Sequence, residues 1–221
     1  MKLLFENWRE FLDEGMKGLD DVPEDFYIEI EEISGGDNPY IIRLVQRGHE
    51  RDHEEHGRCI VEEVDAEHWF ARAADERKQL MTDFQAREGE EAANKLEEIC
   101  EDEYYDIYQD LYTMHVFVDE DFRGWGPLLT DIAMELADED GKWIVPAKLV
   151  GGAGTEGAKR IYDFYLKNRS DVVHEEIDRS CWGYFTGDNL DDVEEESFKY
   201  LYRKDPQWLV HGKAKVKIKR K

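Results

Sequence analysis

Two glycines set two residues apart, Gly124 and Gly126, mark where an apolar run of one period gives way to an apolar run of another. Upstream, Leu111 to Val118 is dense in β-branched, aromatic and aliphatic residues, as in a buried strand. Downstream, Gly126-Pro127-Leu128-Leu129 opens a segment to Asp138 whose apolar residues recur at helical spacing. Proline is tolerated in a first helical turn, because its missing N–H would have no intrahelical partner there. A strand that feeds a helix through a short glycine turn confines this part of the chain to a βα unit. The same alternation continues: Trp143 to Leu149 reads as a strand, Thr155 as the cap of a helix through Asn168, and Asp171 to Ile177 as a strand. Alternating strands and helices predict an α/β sheet.

The preceding half reads differently. Residues 3–17 are predicted to form an amphipathic helix with Leu4, Trp8, Phe11 and Leu12 on one stripe. Phe26 to Ile33 alternates as a strand, residues 34–39 have turn composition, and Tyr40 to Arg47 is a second strand, so a hairpin is expected. A polar loop follows from Gly48 to Gly57, then a third strand near Cys59 to Val64. The stretch from Asp65 to Tyr108 is rich in Ala, Glu, Lys, Arg and Gln and lacks proline, which predicts two helices broken at Gly89. Ala92, Leu96, Ile99 and Cys100 give the second of them a buried stripe. After Gly187 the tail is acidic and weakly helical from Val193 to Arg203. It ends on Trp208 to Lys221, where Val216 and Ile218 alternate with lysines in a strand that would close a sheet edge.

Charge narrows the function classes. Fifty-four acidic against 29 basic residues in 221 give a formal charge of −25. Such a surface repels phosphate backbones and anionic lipids, so neither nucleic acid nor membrane is an expected partner, whereas a basic protein would be attracted. No apolar run approaches the ~20 residues of a membrane helix, and the first residues do not read as a secretory signal. The three cysteines are far apart with no C-x-x-C pair, which predicts a reducing, cytoplasmic setting without a disulfide framework. His49, His53 and His56, with Cys59 beyond, have spacings that could bind zinc, but arginines lie among them and a solvated loop is the simpler expectation; no metal site is assigned.

The run Val116 to Leu129 holds the chemistry. Its glycines would let the backbone approach a ligand closely, and the helix start would present amides and a positive dipole end to an anion such as a pyrophosphate. This run resembles motif A of the GNAT superfamily of N-acetyltransferases, Arg/Gln-x-x-Gly-x-Gly/Ala between the fourth strand and third helix. Arg123 and Gly126 match its first two fixed positions; the third falls on Leu128, a departure that would bring a branched side chain toward the pyrophosphate of coenzyme A. Ala158-Lys159-Arg160-Ile161-Tyr162 resembles the family's Ala-x-x-Leu-Tyr, which places Tyr162 on the tyrosine that protonates the departing thiolate in many members. The resemblance runs from Leu111 to Asp178. The same region, through Gly126 to Leu129, Ala133 to Glu135 and Tyr165 to Val172, is similar to a group of tailed-phage proteins of mostly unassigned function.

The resemblance implies a GNAT-like mixed central sheet flanked by helices, with a helical insertion in the N-terminal half. It divides the chain into an N-terminal helix at 1–18, strands and insertion at 19–110, an acyl-CoA-binding core at 111–178 and an acidic then basic extension at 179–221. It implies acetyl-CoA as cofactor, held by Val116, Val118, Arg123, Gly124, Gly126 and Leu128, and acetyl transfer to a small-molecule or protein amine. Tyr162 would be the acid and Glu120 the base, with Asp119 and Glu63 as other carboxylates near the expected site. The packed-aromatic reading of Tyr162, beside Phe164 and Tyr165, stands next to the catalytic one. The alternative function is a GNAT-like acidic interaction protein without catalysis, which would bind a host factor in the host cytoplasm, mimic DNA or form part of a virion.

Overall fold

The computed structural model describes residues 19–33, 39–48, 54–64, 71, 74–100, 110–150, 155–186, 193–204 and 216–220. The helix expected at 3–17 lies outside them, as do His49 and His53. The fold is mixed α/β. Its strands are β1 (Phe26–Glu32), β2 (Tyr40–Gln46), β3 (Glu54–Glu63), β4 (Leu111–Val118), β5 (Trp143–Ile144), β6 (Val172–Glu176), β7 (Tyr200–Lys204) and β8 (Val216–Arg220), hydrogen-bonded in the order β6-β7-β5-β4-β3-β2-β1-β8. The helices are α1 (Ala74–Glu88), α2 (Glu90–Ile99), α3 (Gly126–Glu139), α4 (Glu156–Asn168) and α5 (Arg179–Thr186). The chain forms two compact units, one of Met1–Glu62, Met114–Asp140 and Lys204–Lys221, the other of Glu63–Thr113 and Gly141–Arg203.

In the first unit, β1 and β2 form the expected antiparallel hairpin, in register from Phe26↔Gln46 to Glu32↔Tyr40. Strand alternation sends Ile28, Ile30, Ile42 and Leu44 to one face, where all four are fully buried. Helix α3 packs on β2 and is itself buried at every position from Pro127 to Ala137. A helix buried all round must be apolar all round or pair what is not. Asp131 and Glu135, one helical turn apart, are the charged exceptions, and Lys204 meets them with its Nζ 2.9 Å from Asp131 Oδ2 and 3.5 Å from Glu135 Oε1. On the opposite face of the hairpin, Arg43 bridges Glu31 at 2.7 Å, Glu29 at 3.4 Å and Glu55 at 3.1 Å. Strand β8 pairs in parallel with β1, the edge closure its alternation predicts, and lays Lys217 Nζ 3.6 Å from the Tyr27 ring centroid.

Strand β3 begins at Glu54, inside the segment expected to be a loop. Its register against β2 jumps from Leu44↔Gly57 to Val45↔Glu55, so His56 is the additional residue of a β-bulge. The bulge breaks the period-two pattern, and the residues before it are polar, which is why the sequence reads as loop there.

In the second unit, β4 and β5 pair in parallel at Leu111↔Trp143 and Tyr112↔Ile144. The strand expected at Trp143 to Leu149 is cut short because Pro146 has no N–H for a ladder, and Ala147–Val150 turns into a 3-10 helix instead. Helices α1 and α2 break at Gly89 (φ +96°) as composition predicts. Thr155 caps α4, its Oγ1 accepting the Ala158 N–H at 3.1 Å. The tail expected to be weakly helical is a short 3-10 turn followed by β7, which pairs antiparallel with β5 at Ile144↔Tyr202. Helix α5 falls where no element was expected; Asp178 caps it by accepting the Cys181 N–H at 2.9 Å.

One expectation is overturned outright. Cys100 and Cys181 are joined in a disulfide across 81 positions of sequence, tying the end of α2 to the first turn of α5. Both sulfurs lie in an apolar core with Leu111, Val145, Trp182 and Leu201. Spacing along the chain carries no trace of such a pairing, because the two helices meet only in the folded unit. Cys59 remains a buried free thiol.

Candidate functional site

The carboxyl end of β4 lies in the first unit and leads through a 3-10 turn and a glycine turn into α3. Val118 ends the strand, Asp119 donates its N–H to the His56 carbonyl at 3.0 Å, and Glu120–Phe122 forms one turn of 3-10 helix. Gly124 follows at φ +93°, in the left-handed region that side chains strain against. Trp125 is buried and anchors the entry, and α3 begins at Gly126 with Pro127 in its first turn. Thr130 Oγ1 donates back to the Gly126 carbonyl at 3.0 Å. Leu128 is 2% exposed, so its side chain belongs to the core. Val116 and Val118 are both half-buried on β4.

Beside this junction, Glu55, His56, Gly57, Arg58, Phe117, Val118 and Asp119 enclose a groove of about 320 Å³. The bulge aims the His56 imidazole inward, where it stacks on Phe122 at 4.0 Å between centroids and lies 5.6 Å from the Phe26 ring. Its Nδ1 is 3.3 Å from Asp119 Oδ2 and its Nε2 is 3.3 Å from Gln46 Oε1. Gln46 is oriented in turn, because its amide NH₂ donates to Asp25 at 2.8 Å. The result is a chain of polar contacts, Asp25–Gln46–His56–Asp119, that ends at the groove. The Asp119 side chain remains 62% exposed there, and Phe117, at 60%, is a large apolar residue left open beside it.

Of the carboxylates singled out in the sequence, Asp119 lines the groove. Glu120 is exposed on the 3-10 turn and faces Arg123 Nη2 at 3.4 Å, an i,i+3 pair that contributes little in water. Glu63 belongs to the second unit, where Lys142 donates to it. Tyr162 is also in the second unit, 4% exposed. It packs against the rings of Tyr202 at 4.8 Å and Phe198 at 5.8 Å. Cys59 is fully buried, and desolvation pushes its thiol far above the ordinary range, so it stays protonated and unsuited to metal ligation or nucleophilic attack. Among the described residues no group of three or more His, Cys, Asp or Glu is placed to hold a metal ion, and no helix is long and apolar enough to cross a membrane.

In the sequence His56 is one of three spaced histidines. The signal that could have singled it out is the pair His56-Gly57 at the head of an apolar strand. Gly57 allows close packing there: a Cβ on it would sit 3.3 Å from Leu129 Cδ1 and 3.6 Å from the Phe117 carbonyl oxygen. Comparison with family models, with curated proteins and with solved structures finds no match to this chain.

Proposed function

We propose that this protein binds acyl-coenzyme A and transfers acetyl to an amine, in the manner of a GNAT-type acetyltransferase. The observation that carries the reading is the course of β4. It pairs in parallel with β5 over Leu111 and Tyr112 and continues through Val118 into a glycine turn at positive φ and the amino end of the 14-residue α3. A helix start presents N–H groups and a positive dipole end, the arrangement that suits a pyrophosphate. Burial of the Leu128 side chain removes the objection that it would crowd such a group. In this reading Val116 and Val118 lie along the pantetheine arm, and Arg123 with the amides of Gly124, Gly126 and Leu128 meets the pyrophosphate. Bound acetyl-CoA supplies the activated thioester.

Calorimetric titration with acetyl-CoA and with coenzyme A tests the reading. Micromolar binding is expected. No heat and no thermal stabilisation at millimolar ligand would reject it. Gly126→Asp should abolish that binding while the fold persists, since a carboxylate at the helix start repels the pyrophosphate. Unchanged affinity in this variant would remove the α3 start from the site.

One observation favours the alternative, an acidic interaction protein without catalysis: Tyr162 is enclosed by Tyr202 and Phe198 like an ordinary core aromatic. Tyr162→Phe separates the two. Loss of a proton donor lowers kcat roughly 10²- to 10⁴-fold, whereas a packing role leaves any acetyl transfer unchanged.

A further inference from the structure

The groove at the start of β3 and the end of β4 shares only Val118 with the cofactor contacts above, and its other walls are chemically selective. Two of its charges are committed to each other: Arg58 Nε lies 2.8 Å from Glu55 Oε1, and Arg43 holds the other oxygen of Glu55 at 3.1 Å. The carboxylate left at the mouth is Asp119, and Glu54, 75% exposed, stands 3.9 Å from the His56 ring. The uncommitted charge is therefore negative. An exposed aromatic, Phe117, also lines the groove. A carboxylate beside an open aromatic face suits a cation with an apolar stem, because the ammonium takes the charge-assisted hydrogen bond and the stem covers the ring.

We propose that this groove is a binding site for a primary alkylammonium, held at its nitrogen by Asp119 and along its stem by Phe117, with His56 as the positioning residue. His56 is itself nine-tenths buried, stacked on Phe122 and tied to Gln46. Its Nδ1 holds one oxygen of Asp119, which fixes the carboxylate at the groove mouth and restricts the rotamers it would otherwise sample. The groove also shares Val118 with the acyl arm of the proposed function. Calling the ammonium the acetyl acceptor rests on that reading; the binding site itself does not.

The test uses the full chain, labelled with ¹⁵N, titrated with n-butylammonium chloride and in parallel with 1-butanol. Amide shifts are expected at Gly57, Arg58, Phe117, Val118 and Asp119 with the ammonium and not with the alcohol. Asp119→Asn should weaken binding roughly tenfold or more, the usual loss for a hydrogen bond to a charged group, and Phe117→Ser should weaken it severalfold. His56→Gln should weaken it severalfold and also broaden the Asp119 χ1 rotamer distribution read from its side-chain scalar couplings. No shifts at tens of millimolar butylammonium would overturn the proposal, as would shifts spread over the acidic surface and indifferent to Asp119→Asn. An unchanged Asp119 rotamer distribution in His56→Gln would remove the positioning role. Acetyl-CoA is titrated separately into the same sample. Ammonium binding without acetyl-CoA binding rejects the acetyltransferase reading and leaves the site standing; the reverse rejects the site alone.

Discussion

Replacing Cys100 and Cys181 together by alanine is expected to lower the stability of the second unit by roughly 4.5 kcal/mol, the loop-closure entropy that a cross-link of this span removes from the unfolded chain. The span is 81 residues, so the effect is large for one covalent bond. At the roughly 2–4 °C per kcal/mol usual for chains of this size, the melting temperature should fall by about 9–18 °C. Reduction of the native protein under denaturing conditions, followed by refolding in reductant, should reproduce the shift. The bond lies in the core, so reductant added to the folded protein should act slowly, at a rate set by opening of the α2–α5 contact. Equal melting of oxidised and alanine forms would show that the cross-link adds nothing beyond the packing of Trp182 and Leu201 around it.

Lys204→Met should destabilise the first unit by about 3–5 kcal/mol, because it leaves Asp131 and Glu135 buried on α3 without their cation. Urea denaturation followed by tryptophan fluorescence is a suitable readout, since Trp125 is buried at the start of the same helix. Replacing Lys204, Asp131 and Glu135 together by apolar residues of similar size should recover most of the loss, as the desolvation of all three charges is then avoided. A single substitution costing less than about 1 kcal/mol would mean that the three groups are hydrated in solution. The cluster fixes the end of β7 against α3, so its loss should also loosen the glycine turn that α3 carries at its head.

What could be read in the sequence follows a physical divide. Segments bounded by clear local signals are legible: β1, β2, β4, α3 and α4 lie within a residue or two of their expected bounds, and Thr155 caps as its position predicts. Gly89 was legible because a residue without a side chain in a long helical stretch has few other uses. Features made by tertiary contact were not. The His56 bulge disguises the first half of β3 as loop, Pro146 stops β5, and β7 is strand because it pairs with β5, despite a helix-like composition. The cysteine pairing and the Lys204 cluster join positions whose separation along the chain says nothing about distance. At the candidate site, Gly124, Gly126 and Arg123 were recognisable from their turn, whereas Asp119 gained its place from the His56 contact and the groove from a bulge.

Strand β4 gives its first three residues to one unit and the remaining five to the other, and the chain passes between units again after Glu62, Asp140 and Arg203. Neither unit is therefore a stretch of the gene. Truncations at residues 62, 113, 140 or 203 would each separate strands or helices from the partners that bury them, and a library of contiguous fragments should yield no well-expressed, protease-resistant piece. Insertions of a reporter sequence are better directed to exposed positions such as Gly89, where a Cβ would meet nothing within 4 Å. For this chain, dissection by deletion is the wrong genetic tool, and point substitution in the intact protein is the informative one.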